Sequence, residues 1–413
     1  MNKPVDLSQA KAATLADIGG PGGLLPPPLC WIIEDEPSKR HFLSLILNGF
    51  GIDTLEYVSD DDLGRKDTSR TPNLIFLNVS HESTDAIASI LRLAKANYRG
   101  AVQLMSGRGT AVLEYVKRIG VEHGLNMLPV LTKPFDKRTI TKIIEDLKLG
   151  LVISPSAQMD LDEAIRNGWI EFWYQPVVDL RKKRLASIEA FARARHPQHG
   201  VVLPGGFLSK ASNASVLKLS ELAMLAVLRA GLKFSRVGVD LPVTVNMPIE
   251  ALQKLPIEKL VSDFHAKPKD WPGLIVDVPE QQIVKNLPLI TDFARRLQRY
   301  NVRLAVDNFG SSETPLANVS DLPFAQIKLD RLFVVDNDEQ AYAARCKTMI
   351  GLAHSYGSKT VALGIEKAAD ALALMSLGCD YGQGFLLGQP MAQEQFVSLL
   401  RRHVNHKRSK SRK

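Results

Sequence analysis

The chain has 413 residues, of which 45% are hydrophobic and 23% charged, with a formal net charge of +8. That length holds two independent cores, since domains commonly run to about 100 to 250 residues. The balance is that of an ordinary globular protein, and no uncharged apolar run approaches the roughly 18 residues of a membrane span, which excludes a membrane-embedded class.

Residues 1–28 are rich in Gly, Pro and Ala and end in GGPGGLLPPP; they read as a flexible leader. The opening twenty residues show no basic stretch followed by an apolar one, so no export signal and a cytoplasmic address are expected. From 29 to 150, short apolar runs (CWII, LIFLNV, VQLM, LPVL) alternate with amphipathic stretches (HFLSLILNGF, IASILRLAKA, VLEYVKRI, ITKIIEDLKL). Alternation of this kind predicts a doubly wound parallel sheet, flavodoxin-like in class. Residues 151–164 read as a linker and connecting helix, with Ser154 or Asp160 as its cap.

Over 165–403 the alternation resumes with a longer period. WIEFWYQPVV, LASIEAF, VTVNM, GLIVDVP, VRLAVDN, AQIKLD, TVALGIE and YGQGFLL are the strand candidates. Between them lie helical stretches such as that of Ile290, Phe293, Ala294 and Leu297, and the sum predicts a TIM-like β/α barrel. The three cysteines, Cys30, Cys346 and Cys379, are odd in number and far apart, which suits reduced core thiols better than a disulfide framework. A basic run, His406, Lys407, Arg408, Lys410, Arg412 and Lys413, marks 404–413 as a tail. Without a recognition fold beside it, that run reads first as a solvated, disordered end, with contact to nucleic acid or an anionic surface as the less favoured alternative.

Barrel interiors are filled by branched apolar side chains, so polar residues at the C-terminal ends of strands point to chemistry. Nearly every strand candidate ends in one: Glu189, Asn246, Asp277, Asp307, Lys328, Glu366 and Gln383. Carboxylates and an amide oxygen gathered at one mouth would suit a hard divalent ion, Mg2+ or Mn2+, and a nearby lysine would suit a phosphate. Together they suggest metal-assisted phosphodiester chemistry.

In order along the chain, FWYQPVVDL, IEAFARARHPQHG, VNMP, VDVPE, DNFG, IKLDRLFV, ALGIE and DYGQGFLLGQPM resemble the motifs of the EAL domain phosphodiesterases, which open cyclic di-GMP to linear pGpG. The resemblance covers roughly residues 160 to 400. It implies that Glu189, Asn246, Asp277, Asp307 and Glu366 are metal ligands and that Gln175, Glu189, Arg193 and Gln383 contact the nucleotide. It also implies that Lys328 is catalytic and that Glu280 braces a catalytic loop. Departures accompany the match. Asn308 stands where the family has a second aspartate contacting a second metal ion. Leu363 replaces a glutamate beside that ion, Asp277 shortens a glutamate, and Ser311 to Pro315 depart from the family's loop. Loss of a positioned acid or base costs roughly 10²- to 10⁴-fold in rate, so little turnover is expected.

Residues 29–150 resemble the receiver domain of response regulators. WIIEDE supplies Glu34 and Asp35, LMSG supplies Ser106, and LTKPF supplies Lys133, but LIFLNVS places Asn78 where the phosphoacceptor aspartate would be. An amide cannot form the acyl phosphate, so Asn78 is not phosphorylatable. The expectation is a cyclic di-GMP signalling regulator, a non-catalytic nucleotide- or protein-binding module. Its partner would be cyclic di-GMP, another protein, or a second copy met through the receiver or EAL domain, and Mg2+ or Mn2+ would sit at a weakened site. A phosphodiesterase of reduced activity is the alternative.

Overall fold

The computed structural model describes residues 28–59, 70–79, 83–107, 110–149, 153–154, 157–264, 271–310, 324–329 and 339–410. The leader expected over 1–28 and the departing loop Ser311 to Pro315 therefore lie outside the described residues, save for residue 28.

The N-terminal sheet is built from β1 (Leu29–Ile33), β2 (Asp53–Tyr57), β3 (Leu74–Asn78), β4 (Ala101–Ser106), β5 (Asn126–Met127) and β6 (Leu131–Thr132). All its pairings are parallel, in the order β2-β1-β3-β4-β5, with β6 also pairing β4. That is the flavodoxin-like order. Strand β3 shows why the sequence reads as an uninterrupted apolar run. Leu74 and Phe76 pack into one cluster with Leu43, Leu47, Ile140 and Ile144, while Ile75 and Leu77 pack into another with Ile90, Leu104, Leu113 and Val116. A strand buried on both faces needs apolar residues at every position.

Helices α1 (Pro37–Gly49), α2 (Ser83–Lys95), α3 (Thr110–Glu122) and α4 (Lys137–Asp146) cover these faces. Pro37 opens α1, where its missing N–H is no loss. Asp136 caps α4 by accepting from the Thr139 N–H at 2.9 Å.

A short strand, β7 (Ile153–Ser154), falls inside the expected linker, pairing with β10 (Gly200–Val202) and placing Ser154 in a strand. The helix cap is instead Asp160, which starts α5 (Leu161–Arg166) by accepting from the Glu163 N–H at 2.7 Å.

The barrel strands are β8 (Ile170–Asp179), β9 (Arg184–His196), β11 (Val243–Asn246), β12 (Leu274–Pro279), β13 (Val302–Phe309), β14 (Phe324–Leu329), β15 (Lys359–Ala362) and β16 (Tyr381–Gly382), with β17 (Met391–Ala392) added at the edge of β8. The ring runs β8-β16-β15-β14-β13-β12-β11-β9 and closes through β8–β9. It departs from an all-parallel barrel in one respect: β8 runs antiparallel to both β9 and β16. Helices between the strands pack their apolar faces outside the ring, Ile290, Phe293 and Leu297 joining Val276, Val278, Leu304 and Val306 in one core.

Among the described residues no helix is long and apolar enough to cross a membrane. All three cysteines are free and buried, as expected of core thiols. The terminal helix spans Gln393–Lys410, so the basic run through Lys410 continues a helix and is not the irregular end its charge suggested.

Candidate functional site

Side chains alternate across a strand, and this period assembles the barrel's polar centre. The residues facing the outer helices include Leu274, Val276, Ile327 and Leu329. The intervening positions Ser187 and Glu189, Thr244 and Asn246, Ile275 and Asp277, Ala305 and Asp307, and Gln326 and Lys328 therefore point into the ring. Lower in the ring, Gln326 Nε2 donates to Ser187 Oγ at 3.4 Å. One step up each strand lies the charged cluster.

Lys328 holds that cluster together. Its Nζ lies 2.7 Å from Glu189 Oε2 and also meets Asp277 Oδ2, with all three side chains nearly inaccessible to water. Glu189 is further engaged: Asn246 Nδ2 donates to Oε1 at 2.9 Å, and Gln383 Nε2 donates to Oε2 at 2.9 Å. Asp277 Oδ1, by contrast, is buried without a hydrogen-bond partner. Burial pushes the Asp277 carboxyl well above the usual carboxylate range; Lys328 opposes that push, while Asp307 and Glu189 add to it. Burial acts to lower Lys328, but Asp277, Glu189 and Asp307 outweigh it and hold the ammonium charged.

Beside this centre, Asn308 Nδ2 donates to Asp307 Oδ2 at 2.9 Å, with Asn308 itself at φ 54°. Asparagine tolerates that left-handed backbone better than most residues. Two residues on, the Gly310 N–H donates to Glu280 Oε2 at 3.0 Å, and Glu280 is fully buried. Glu280 thus ties down the backbone that leads out of β13. Leu363 lies partly buried beyond β15, and Glu366 is exposed three residues on.

Farther along β9, the Arg193 guanidinium lies 5.6 Å from the Trp173 ring centroid and 5.7 Å from that of Phe191. Its Nη1 donates to the Ala192 carbonyl at 2.8 Å, while Nε is buried without a partner. Burial pushes Arg193 down to about 10, against the pull of Glu171, so it remains a cation at neutral pH. Gln175, paired in register with Glu189, donates through Nε2 to the Gly388 carbonyl at 2.8 Å. Neither the aromatic bracket around Arg193 nor the Gly388 carbonyl was anticipated. The signals for them were Trp173 in FWYQP, Phe191 two residues before Arg193 in EAFAR, and the glycine in LLGQPM.

The metal expectation meets a mixed answer. Among the described residues no three His, Cys, Asp or Glu side chains form a ready cation cage, and the Lys328 ammonium contacts both Glu189 and Asp277. The donor chemistry nevertheless fits one hard divalent ion: the unpartnered Asp277 oxygen, Glu189, Asp307 and the Asn246 amide are oxygen donors on neighbouring strands. Next to these donors, Asn308 brings an uncharged amide that is already bonded to Asp307, and Leu363 brings no donor.

A second polar cluster stands at the C-terminal edge of the N-terminal sheet. Lys133 Nζ donates to Glu34 Oε2 at 2.5 Å and to Asn78 Oδ1 at 2.8 Å, and Asn78 Nδ2 donates to Asp35 Oδ1 at 2.7 Å. Ser106 is buried at the end of β4, and its carbonyl accepts from the Lys133 N–H at 2.8 Å. Burial raises the Glu34 carboxyl above its ordinary range against the pull of Lys133. It acts upward on Asp35 as well, but hydrogen bonds with Glu34, its own backbone and Asn78 leave that carboxyl lowered. The structure thus brings Glu34, Asp35, Asn78 and Lys133 into one bonded network.

A closed, eight-stranded TIM-like barrel with one reversed strand and an acid, amide and lysine centre at its mouth defines the class of the larger domain. The sequence profile of the EAL domain matches residues 158–390, more than half of the chain, and the chain belongs to the EAL domain family. It is 29% identical over 289 residues to the cyclic di-GMP phosphodiesterase RocR of Pseudomonas aeruginosa, a match covering 66% of this chain and 73% of RocR. The signaling protein YkoW of Bacillus subtilis is 27% identical over 250 residues, 59% of this chain but 31% of YkoW. Among solved structures, the PaMucR phosphodiesterase in complex with c-di-GMP aligns with a TM-score of 0.52 and 28% identity over 57% of this chain and 97% of that one. The EAL enzyme Bd1971 in its cGMP-bound form shares the fold, with a TM-score of 0.54 and 22% identity over 64% of this chain and 72% of that one.

Proposed function

We propose that the barrel binds cyclic di-GMP at its mouth and does not open it at an appreciable rate. The observation that carries this reading is the Asn308–Asp307 hydrogen bond. Where the resemblance calls for a second carboxylate, an amide occupies the position and engages the remaining one, and Leu363 adds no ligand. Binding keeps its parts. Arg193 remains cationic in an aromatic bracket suited to a phosphate or a base face, and Gln175 and Gln383 are held in place around Glu189.

Glu189, Asn246, Asp277 and Asp307 would hold one Mg2+ or Mn2+, which when bound supplies Lewis-acid polarisation of a phosphoryl oxygen. Lys328 places a positive charge in the same centre and pairs with the two buried carboxylates in the metal-free state, offsetting one of their charges. Glu280 steadies the backbone at Gly310. That brace, with Lys328 and Glu189 retained, favours a slow phosphodiesterase as the second reading.

The N-terminal domain acts in this reading as a receiver-type module fixed in one state. Asn78 offers no carboxylate for phosphorylation, and Lys133 is engaged by Glu34 and Asn78. Support comes from the flavodoxin-like strand order and from the RocR match, which extends over more residues than the EAL segment. The domain would serve docking to a protein partner or to a second copy.

Calorimetry with cyclic di-GMP, with and without Mn2+, tests binding, and chromatography of the same mixtures tests turnover. A dissociation constant of about micromolar order with no pGpG is the expected outcome. Rapid pGpG formation that Glu189→Ala abolishes would replace this reading with the phosphodiesterase one. Incubation with acetyl phosphate and Mg2+ is expected to leave the intact mass unchanged.

A further inference from the structure

Gly49 lies in the last turn of α1, a position where glycine weakens a helix relative to alanine. Its backbone is not in the left-handed region that would demand glycine; that role falls to Gly51, at φ 72°. What a side chain at Gly49 would meet comes from the other domain, the Gln389 side chain, whose amide end would have to shift. A Cβ built there would fall 2.2 Å from Gln389 Oε1, 2.7 Å from Cδ and 3.0 Å from Cβ. Gln389 is only 7% exposed, Asn48 and Gly49 are buried, and Gln389 Nε2 is buried without a hydrogen-bond partner. The end of α1 is therefore seated on Gln389.

Gln389 is one residue from the carbonyl that fixes Gln175. Gly388 accepts from Gln175 Nε2, and its own missing side chain makes room for Pro176, whose Cγ would lie 2.4 Å from a Cβ there. Upstream in the same segment, the Gly388 N–H donates to the Gly384 carbonyl, and Gln383 donates to Glu189. Residues 383–389 thus hold Glu189 at one end and the N-terminal domain at the other.

We propose that the α1 terminus, through Gly49, docks on Gln389 and positions the 383–389 segment, making the N-terminal domain a structural part of the barrel's ligand mouth. The ligand consequence rests on the reading of that mouth as a cyclic di-GMP site; the docking does not.

Two measurements separate these. First, Gly49→Cys paired with Gln389→Cys places two Cβ atoms close to the separation a disulfide requires. Mild oxidation of the full chain is expected to join peptides 49 and 389 within one molecule, while each single cysteine variant stays unlinked. Absence of the intramolecular link in the monodisperse double variant overturns the docking. Second, Gly49→Leu should unseat the helix and increase amide exchange across 383–389 by about tenfold, an effect Gly49→Leu combined with Gln389→Ala should reverse by removing the clash. Unchanged exchange in a folded Gly49→Leu protein overturns the positioning role.

If the wild type binds cyclic di-GMP, Gly49→Leu should weaken that binding about tenfold, with recovery in the double variant. Exchange and cross-linking as expected, but no nucleotide binding by the wild type, would sink the ligand reading and leave the docking standing.

Discussion

The two domains carry the same small motif in opposite settings. In each, a lysine at the C-terminal edge of a parallel β/α sheet neutralises an acidic residue, and an asparagine amide donates to a neighbouring aspartate: Asn78 to Asp35 in one, Asn308 to Asp307 in the other. The difference is depth. Lys133 is 9% exposed and pairs with one carboxylate, whereas Lys328 is 2% exposed and pairs with two. Removal of either lysine strands buried negative charge, and the penalty grows with the charge stranded and the water excluded. In the proposed reading, an asparagine fits the space of an aspartate and satisfies the carboxylate beside it, so folding would tolerate an exchange that ion binding or phosphorylation would not.

The largest effect should come from reversing that exchange in the barrel. Asn308→Asp combined with Leu363→Glu returns two anionic donors to the mouth, and pGpG formation in Mn2+ is expected to rise by about 10²- to 10⁴-fold over the wild type. A double variant that binds cyclic di-GMP as tightly as the wild type and still yields no product would show that the two asparagine sites are not comparable. The loss would then lie elsewhere in the barrel.

The lysines come next. Lys328→Met leaves Glu189 and Asp277 buried without their cation, and a loss of about 3–5 kcal/mol in denaturant unfolding is expected. Mn2+ should recover part of it. Lys133→Met strands a single buried carboxylate, Glu34, and about 1–3 kcal/mol is expected. Equal losses would erase the distinction of depth. The Lys133→Met loss should also depend on pH. Glu34 is raised in the folded protein above its ordinary 4.5, so its contribution is fully present below that value and disappears as pH rises through the folded pKa. Without Lys133 the folded pKa climbs further, and the deficit should be greatest near neutrality and shrink as acidification protonates Glu34. A deficit that grows on acidification would contradict the assignment.

Which parts of this were legible beforehand follows from what a one-dimensional pattern encodes. Strand-end positions were legible: Glu189, Asn246, Asp277, Asp307 and Lys328 each close an apolar alternation, and the period of two sends them all inward. Direction was not, because IEFWYQPVVD has the same pattern whichever way β8 runs, and its antiparallel sense emerges only from its pairing with β9. The Lys328 ion pairs join β14 to β9 and β12, strands far apart in the chain, and nothing local to IKLD announces two partners. Gly49 offered a faint signal, a glycine inside an amphipathic helix without a turn to make. Its reason lies some 340 residues away at Gln389. The tail misled because charge density was taken for disorder, while a helix already begun at Gln393 carries its backbone through the basic run to Lys410.

The smallest predicted effect is the most discriminating for the N-terminal domain. Asn78→Asp replaces an amide that donates to Asp35 and accepts from Lys133 with a carboxylate that can only accept. Asp35 then loses its donor and faces a like charge, with Glu34 beside it and one lysine for all three. A destabilisation of about 1 kcal/mol in metal-free buffer is expected. Mg2+ should cancel it, because three carboxylates at one sheet edge form the hard oxygen site that Asn78 interrupts, and the wild type should show no comparable Mg2+ stabilisation. In the same variant, acetyl phosphate with Mg2+ should add the mass of one phosphoryl group, blocked by Asp35→Asn. If Mg2+ fails to restore stability and no phosphoryl group is gained, the N-terminal cluster is a structural ion network, and the likeness between the two asparagine sites extends to their hydrogen bonds alone.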